Sequence, residues 1–424
     1  MRYQLRYVRN APEDEPWLRD ETITHPRSTL QSGTAPAGRR DHVGVDAVVV
    51  TPCVHQHPPY RAPTRPEHGR DGCAAVPVVT ASDRAWARFD GRTATGLVDV
   101  TTDPSALDSR GWWAVVAPYD GPPVLARFSD VRPAPAPSGA WCGPARTAWT
   151  SSMSREAYVA AVEVVRDHIA AGTVYQANVC RVLSARLPDV ERADVAGLAA
   201  LLGVGNPAPY AGVVHLPPGC HPSVPDDGVS VVTASPELFL RRDHAVVESG
   251  PIKGTGRTAA DLTAKDSAEN VMIVDLVRND LGAVSRTGSV TVPHLLDVER
   301  HPGLVHLVST VRGELRDDAG WTELLAATFP PGSVTGAPKS SALRIIDEVE
   351  RESRGPYCGA VGWVDADRRT AELAVAIRTF WVSRGIVRFG TGAGITWGSD
   401  AAREWDETEL KAETLLAVAS GSSP

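Results

Sequence analysis

No run of eighteen or more apolar residues occurs anywhere in the sequence, and the opening segment MRYQLRYVRN is charged, with no apolar stretch inside it. On these absences neither a transmembrane helix nor a secretory signal peptide is expected. There is no CxxC pair and no Cys/His cluster. Cys53, Cys73, Cys142, Cys180, Cys220 and Cys358 stand singly, so neither a structural zinc site nor a disulfide framework is expected. A reducing cytosol, and hence a cytoplasmic location, suits such a set. Nor is positive charge in excess. With 43 Lys+Arg against 51 Asp+Glu the formal net charge is −8, which argues against non-specific nucleic-acid binding and requires a local cation wherever an anionic ligand is held.

What is there is an ordinary globular composition, 42% hydrophobic and 22% charged, over 424 residues, long enough for a large core. Three regions are expected. Residues 1–75 are crowded with Pro, His, Arg, Asp and Gly and read as a loosely ordered or disordered segment. Residues 76–150 hold strand-like runs, WWAVV (112–116) and VLARF (124–128), followed by the Pro-rich linker PAPAPSG (133–139). A compact domain over 151–420 then begins with a helix capped by Ser154, with Tyr158, Val162, Val165 and Ile169 at helical spacing and Gly172 at its end. Strands are expected at 229–234, 306–311, 359–364, 372–382 and 386–396, the last two joined through Ser383, Arg384 and Gly385. Helices are expected at about 261–281, 339–352 and 401–419. Strand runs broken by single helices, without regular βαβ alternation, indicate an α+β fold built on antiparallel sheets.

Chemistry concentrates in this last domain. Lys253 lies in PIKGT (251–255), read as a turn, with Glu237 upstream in SPELFL and Glu269 on the following helix. An amine and two carboxylates so close in sequence suggest covalent or acid/base work on an anion. Glu269 is in register with Met272, Ile273, Leu276 and Val277, which places a carboxylate on an apolar helix face. There it either binds Mg²⁺ or pairs with a core arginine such as Arg278 or Arg312. In the last helix Glu404, Glu407 and Lys411 line one flank. They either face a cavity or form an exposed surface with a Glu407–Lys411 pair at i,i+4. The loop at 329–350 lacks the Gly-Lys that a phosphate-binding Walker loop requires, and Pro338 instead suits a first helical turn. Arg378, inside the apolar run LAVAIRTF, and Tyr357, after the RGP turn, either clamp a carboxylate or serve the structure.

Taken in order, SPELFL, PIKGT, AENVMIVDLVRNDLG, HLVSTVRGEL, FPPGSVTGAPKSSALRIIDEVE, RGPYCGAVGW, AIRT, GAGI and EWDETELKAETLL resemble the chorismate-utilising enzymes over about 154–419. The resemblance implies an α+β sandwich of two antiparallel sheets with helices outside. It implies Mg²⁺ held by Glu269 and Glu407 with Glu404 in support, and chorismate as substrate. Glu237 resembles the general acid beside the departing C4 hydroxyl, and His306 lines the same pocket. Tyr357, Arg378, Gly392, Gly394 and Lys411 match positions that hold substrate carboxylates, with Gly254 and Thr255 at the pocket floor.

Two positions divide the family by reaction. Members that add water at C2 resemble one another in a lysine base where this chain has Gln176, and anthranilate synthases usually have alanine where Lys253 stands. The lysine is typical of aminodeoxychorismate synthases, so amination at C4 is expected. None of the six cysteines lies in a Gly-x-Cys-x-Gly elbow, so ammonia is expected from a separate glutamine amidotransferase. The chain departs from the pattern in having Gly256, Arg257 and Thr258 where relatives often have Arg-Pro-Arg, and its first 150 residues match poorly. The alternatives are an anthranilate synthase component I and a catalytically silent chorismate-binding subunit.

Overall fold

The computed structural model describes residues 81–421 apart from Ala136, Glu191, Arg257, Pro302 and Gly303. The segment 1–75 lies outside the described residues. The first strands are β1 (Trp86–Phe89), β2 (Arg92–Thr101), β3 (Trp112–Ala117), β4 (Val124–Pro133) and β5 (Thr150–Ser151). Every residue of β3, WWAVVA, is buried, as a continuous apolar run requires of a central strand. Helix α1 (Arg155–Ala170) follows, its Ser154 Oγ accepting from the Ala157 amide at 3.2 Å. Beyond Gly172, at φ +74°, come β6 (Gln176–Arg186), α2 (Val195–Gly205), β7 (Tyr210–Leu216), β8 (Val229–Ser235), β9 (Leu238–Asp243), β10 (Val246–Gly250) and β11 (Ile252–Gly256). A capping box of Thr263 and Asp266 starts α3 (Ala264–Gly282). The remaining elements are β12 (Thr291–His301), β13 (Leu304–Glu314), α4 (Trp321–Thr328), β14 (Gly336–Ala337), α5 (Lys339–Val349), β15 (Ala360–Asp365), β16 (Thr370–Val375), β17 (Thr379–Ser383), β18 (Ile386–Ile395) and α6 (Ala401–Ala419).

Every pairing among the described strands is antiparallel. The hydrogen-bonded order runs β12, β13, β10 with β11, β9, β16, β15, β3, β4, β2, β1, β7, β8, β17, β18 and β6, with β5 and β14 on β6. The two layers of the sandwich are therefore halves of one ladder, joined where β4 pairs with β2. Trp113, Val115, Leu240, Leu373 and Val361 from one half share a core with Val214, Leu216 and Val231 from the other. The strands at 86–133 belong to the same ladder as the later ones, through β1 with β7 and β3 with β15.

Two of the chain's crossings between the halves frame the site. The chain leaves β8 for β9 through Ser235, Pro236 and Glu237, and β16 for β17 through Ala376, Ile377 and Arg378. The strand expected over 372–382 is thus two strands in different halves, and Arg378, expected within a strand, sits in the break at φ +51°. The crossovers lie side by side: the Val375 amide donates to the Glu237 carbonyl at 3.0 Å, and the Ala234 amide to the Arg378 carbonyl at 3.0 Å. The hairpin at 383–385 forms as expected, with Arg384 and Gly385 both at positive φ.

Candidate active site

The paired crossovers put Glu237 and Arg378 at the seam of the ladder. Glu237 is 4% exposed. Burial pushes its carboxyl up to about 7, against the opposing pull of the Ser333 hydroxyl, the Lys253 charge and the Ile252 amide. Arg378 is half-buried, and burial alone lowers its pKa. Among the described residues no carboxylate pairs with its guanidinium.

Lys253 is not in a turn. It lies on β11, which pairs with β13, and the register slips between Ile252 and Thr255, so Lys253 and Gly254 form an irregularity in the ladder. Gly254 makes it possible: its φ is +81°, and a Cβ there would come within 2.8 Å of the Asp266 Cβ. Lys253 Nζ donates to the Ser333 carbonyl at 3.1 Å. Burial pulls the ammonium pKa down, while Glu237 and Glu269 push it up, Lys411 lowers it and Glu407 raises it. All four are thus near enough to act on this amine. His306 is 2% exposed and sits on β13 opposite Thr255.

The second wall comes from α3 and α6. Neither arginine considered for Glu269 reaches it, since Arg278 pairs with Asp275 and Arg312 with Glu248. Lys265 lies between two carboxylates instead, 3.6 Å from Glu269 and 3.9 Å from Glu404. Glu404 is 5% exposed, and burial raises its pKa, as does Glu407. Glu407 and Lys411 are each about half exposed at the side chain; what desolvation Glu407 has raises its pKa, but Lys411 at 2.7 Å together with Lys265 and Lys253 outweighs it and the net shift is downward. The Glu407–Lys411 pair considered from sequence is present, yet Lys411 Nζ also donates to the Gly392 carbonyl at 3.1 Å, which ties α6 to β18.

Glycines hold β18 close to its neighbours. A Cβ on Gly394 would lie 2.4 Å from Gln176 Nε2, and one on Gly392 2.7 Å from the Val179 carbonyl oxygen. Tyr357 lies against the third, since a Cβ on Gly390 would be 2.0 Å from its ring. Its phenol is pushed up by burial and by Cys358 and Cys180, with Arg354 opposing. Sequence reasoning passed over Ser333, Lys265 and Asn178. Ser333 stood in a loop read for its failure to match a Walker motif and for Pro338 at a first helical turn, and Asn178 two residues past Gln176. Both amide atoms of Gln176 and Asn178 Oδ1 are buried with no hydrogen-bond partner, as polar groups awaiting a ligand would be.

The carboxylates fit a hard cation. Glu269 Oε1 is buried without a hydrogen bond, and the Lys265 ammonium stands between Glu269 and Glu404. Among the described residues no three metal-ligating side chains close into a ready-made cage. Mg²⁺ commonly takes one or two carboxylates and completes its shell with water and substrate.

The chorismate binding enzyme family model matches residues 119–417. The chain belongs to this family. It is 40% identical over 280 residues to anthranilate synthase component 1 of Haloarcula marismortui, covering 63% of this chain and 54% of that protein. It is 35% identical over 363 residues to the aminodeoxychorismate synthase of Streptomyces griseus, covering 82% of this chain and 47% of that one. The chain spans about half the length of these curated relatives. The anthranilate synthase component I of Streptococcus pneumoniae superposes with a TM-score of 0.61 at 25% identity, over 73% of this chain and 81% of its own. Among the described residues no helix is long and apolar enough to cross a membrane.

Proposed function

We propose that this chorismate-binding enzyme aminates chorismate at C4 with ammonia, giving 4-amino-4-deoxychorismate. The observation that carries the reading is the meeting of half-buried Lys253 with buried Glu237 at Ser333, with the amine pKa lowered and the carboxyl pKa raised. Those directions favour a neutral nucleophile beside a protonated acid, the pair that a covalent displacement needs.

The Lys253 lone pair attacks C2, the ring double bonds shift, and the C4–O bond breaks as Glu237 gives its proton to the departing hydroxyl, which leaves as water. Ammonia then forms the C4–N bond, the double bonds shift back, and the C2–N bond to Lys253 breaks, returning the amine. The proton lost by the new ammonium goes to the Glu237 carboxylate, so both groups are restored. Arg378 and Lys411 hold substrate carboxylates, and His306 lines the pocket. Mg²⁺, held by Glu269 and Glu407 with Glu404 in support, would supply a hard cation for a carboxylate of the substrate. Gln176 has no basic atom, which disfavours activation of water at C2.

Ammonia is supplied by a separate glutamine amidotransferase subunit, in keeping with the component names carried by several relatives. The second reading is amination leading to anthranilate, favoured by the 40% identity to an anthranilate synthase component. Lys253→Ala separates the two chemistries. It should lower amination at C4 by at least about a thousandfold, as expected for loss of a covalent nucleophile, and undiminished product from that variant rejects the covalent route.

A further inference from the structure

We infer that Arg181, on β6, is the positioning residue that sets the rotation of α6 and thereby aims Glu404 and Glu407 at the cation they share. Its side chain is 1% exposed, yet it touches neither carboxylate. It grips the helix on the adjoining side. Nε donates to Thr408 Oγ1 at 3.0 Å, one terminal nitrogen donates to Glu409, and the guanidinium lies 4.1 Å above the Trp405 ring. The other terminal nitrogen donates to Ser151 Oγ at 3.2 Å, which anchors the fork to β5. Trp405 also packs at 69° against the Tyr158 ring, 5.6 Å between centroids, and the Tyr158 hydroxyl donates to the Val179 carbonyl on β6.

At about 100° per residue, Trp405, Thr408 and Glu409 occupy one side of α6 and Glu404, Glu407 and Lys411 the neighbouring side. Trp405 directly follows Glu404, and Thr408 directly follows Glu407. A grip on the first pair therefore fixes the second. A rotation of about 20° at a side-chain radius of roughly 5–6 Å carries a carboxylate by about 2 Å. That distance is comparable with a whole Mg–O bond of ~2.0–2.1 Å. Only a planar, multidentate cation can serve Thr408, Glu409, Ser151 and the Trp405 face together; a lysine ammonium cannot.

The inference rests on the proposed magnesium site, and calorimetric titration with Mg²⁺ alone separates its failure from that of the site. Wild type should bind Mg²⁺, and Arg181→Lys should raise the dissociation constant at least tenfold, with saturating Mg²⁺ restoring most of kcat. Thr408→Val and Glu409→Gln, which each remove one arm of the grip, should give smaller rises and decide the matter if Arg181→Lys does not fold. Wild type that binds no Mg²⁺ overturns the metal reading and this inference with it. Wild type that binds, with folded variants matching its dissociation constant, overturns the role of Arg181 and leaves the site standing.

Discussion

Lys253 and Glu237 approach the same residue: the ammonium donates to the Ser333 carbonyl at 3.1 Å, and Ser333 lies near enough to the Glu237 carboxyl to pull its pKa down against burial. The bulge on β11 brings the amine there, and the crossover from β8 to β9 brings the acid. Neither group lies on the surface of a regular element, and each depends on a local break in the ladder for its aim. The acid and nucleophile of the proposed reaction are therefore set by backbone irregularities that packing of the two sheet halves holds in place.

The carboxyl of Glu237 rises from 4.5 to about 7 on folding, so the unfolded chain gives up this proton first. Its contribution to stability is complete below about pH 4.5 and is lost as pH climbs through about 7. Glu237→Gln removes that loss. The variant should gain on wild type between pH 5 and pH 8, to a ceiling of about 3 kcal/mol that neighbouring Lys253 reduces. Denaturant unfolding at the two pH values measures the gain, and a difference that does not change with pH contradicts the burial argument.

Glu269 offers a buried oxygen with no hydrogen bond. Glu269→Gln keeps the shape and removes the charge, so the dissociation constant for Mg²⁺ should rise at least about tenfold while the fold is retained. Calorimetry on the purified variant reads this directly, and equal binding to wild type removes Glu269 from the metal site.

Arg378 is half-buried and has no carboxylate partner among the described residues. Arg378→Lys keeps the charge and loses the two-pronged geometry, so KM for chorismate should rise by about 10- to 100-fold with a smaller change in kcat. Steady-state kinetics with chorismate as the varied substrate checks this. An unchanged KM assigns the guanidinium a purely structural role.

The glycines of β18 are close-approach positions. A Cβ on Gly392 would sit 2.6 Å from Cys180 Sγ and 2.7 Å from the Val179 carbonyl oxygen, so Gly392→Ala should cost about 1–3 kcal/mol of stability and displace the carbonyl that Lys411 grips. Gly203→Ala, on α2 with nothing within 4 Å of the new methyl, should be neutral or stabilising by up to about 1 kcal/mol. Thermal unfolding of the two variants side by side gives the comparison.

Elements with a strong local signal were legible in the sequence. Ser154 caps α1 through its hydroxyl, Tyr158, Val162 and Val165 are its buried face, and Arg384 with Gly385 turns the last hairpin. Signals that depend on distant partners were not. Helix α2, VAGLAALLGVG, is apolar nearly throughout and shows no one-sided period to read. The apolar run from 372 to 382 looked like one strand because both sheet halves demand the same residues, and only the crossover at Arg378 divides it. The bulge at Lys253 needs the register of β13, fifty residues on, to be seen. The motifs placed Glu237, Lys253, Glu269, Glu404 and Glu407 in one neighbourhood. The parts that orient them, Ser333, Lys265 and Arg181, carry no motif, since their roles come from packing alone.

The measurement that tests this account most directly is the identity of the product. The purified chain, incubated with chorismate, Mg²⁺ and ammonium and assayed by mass spectrometry against standards, should yield 4-amino-4-deoxychorismate. Anthranilate as the product, or chorismate returned unchanged, would contradict it.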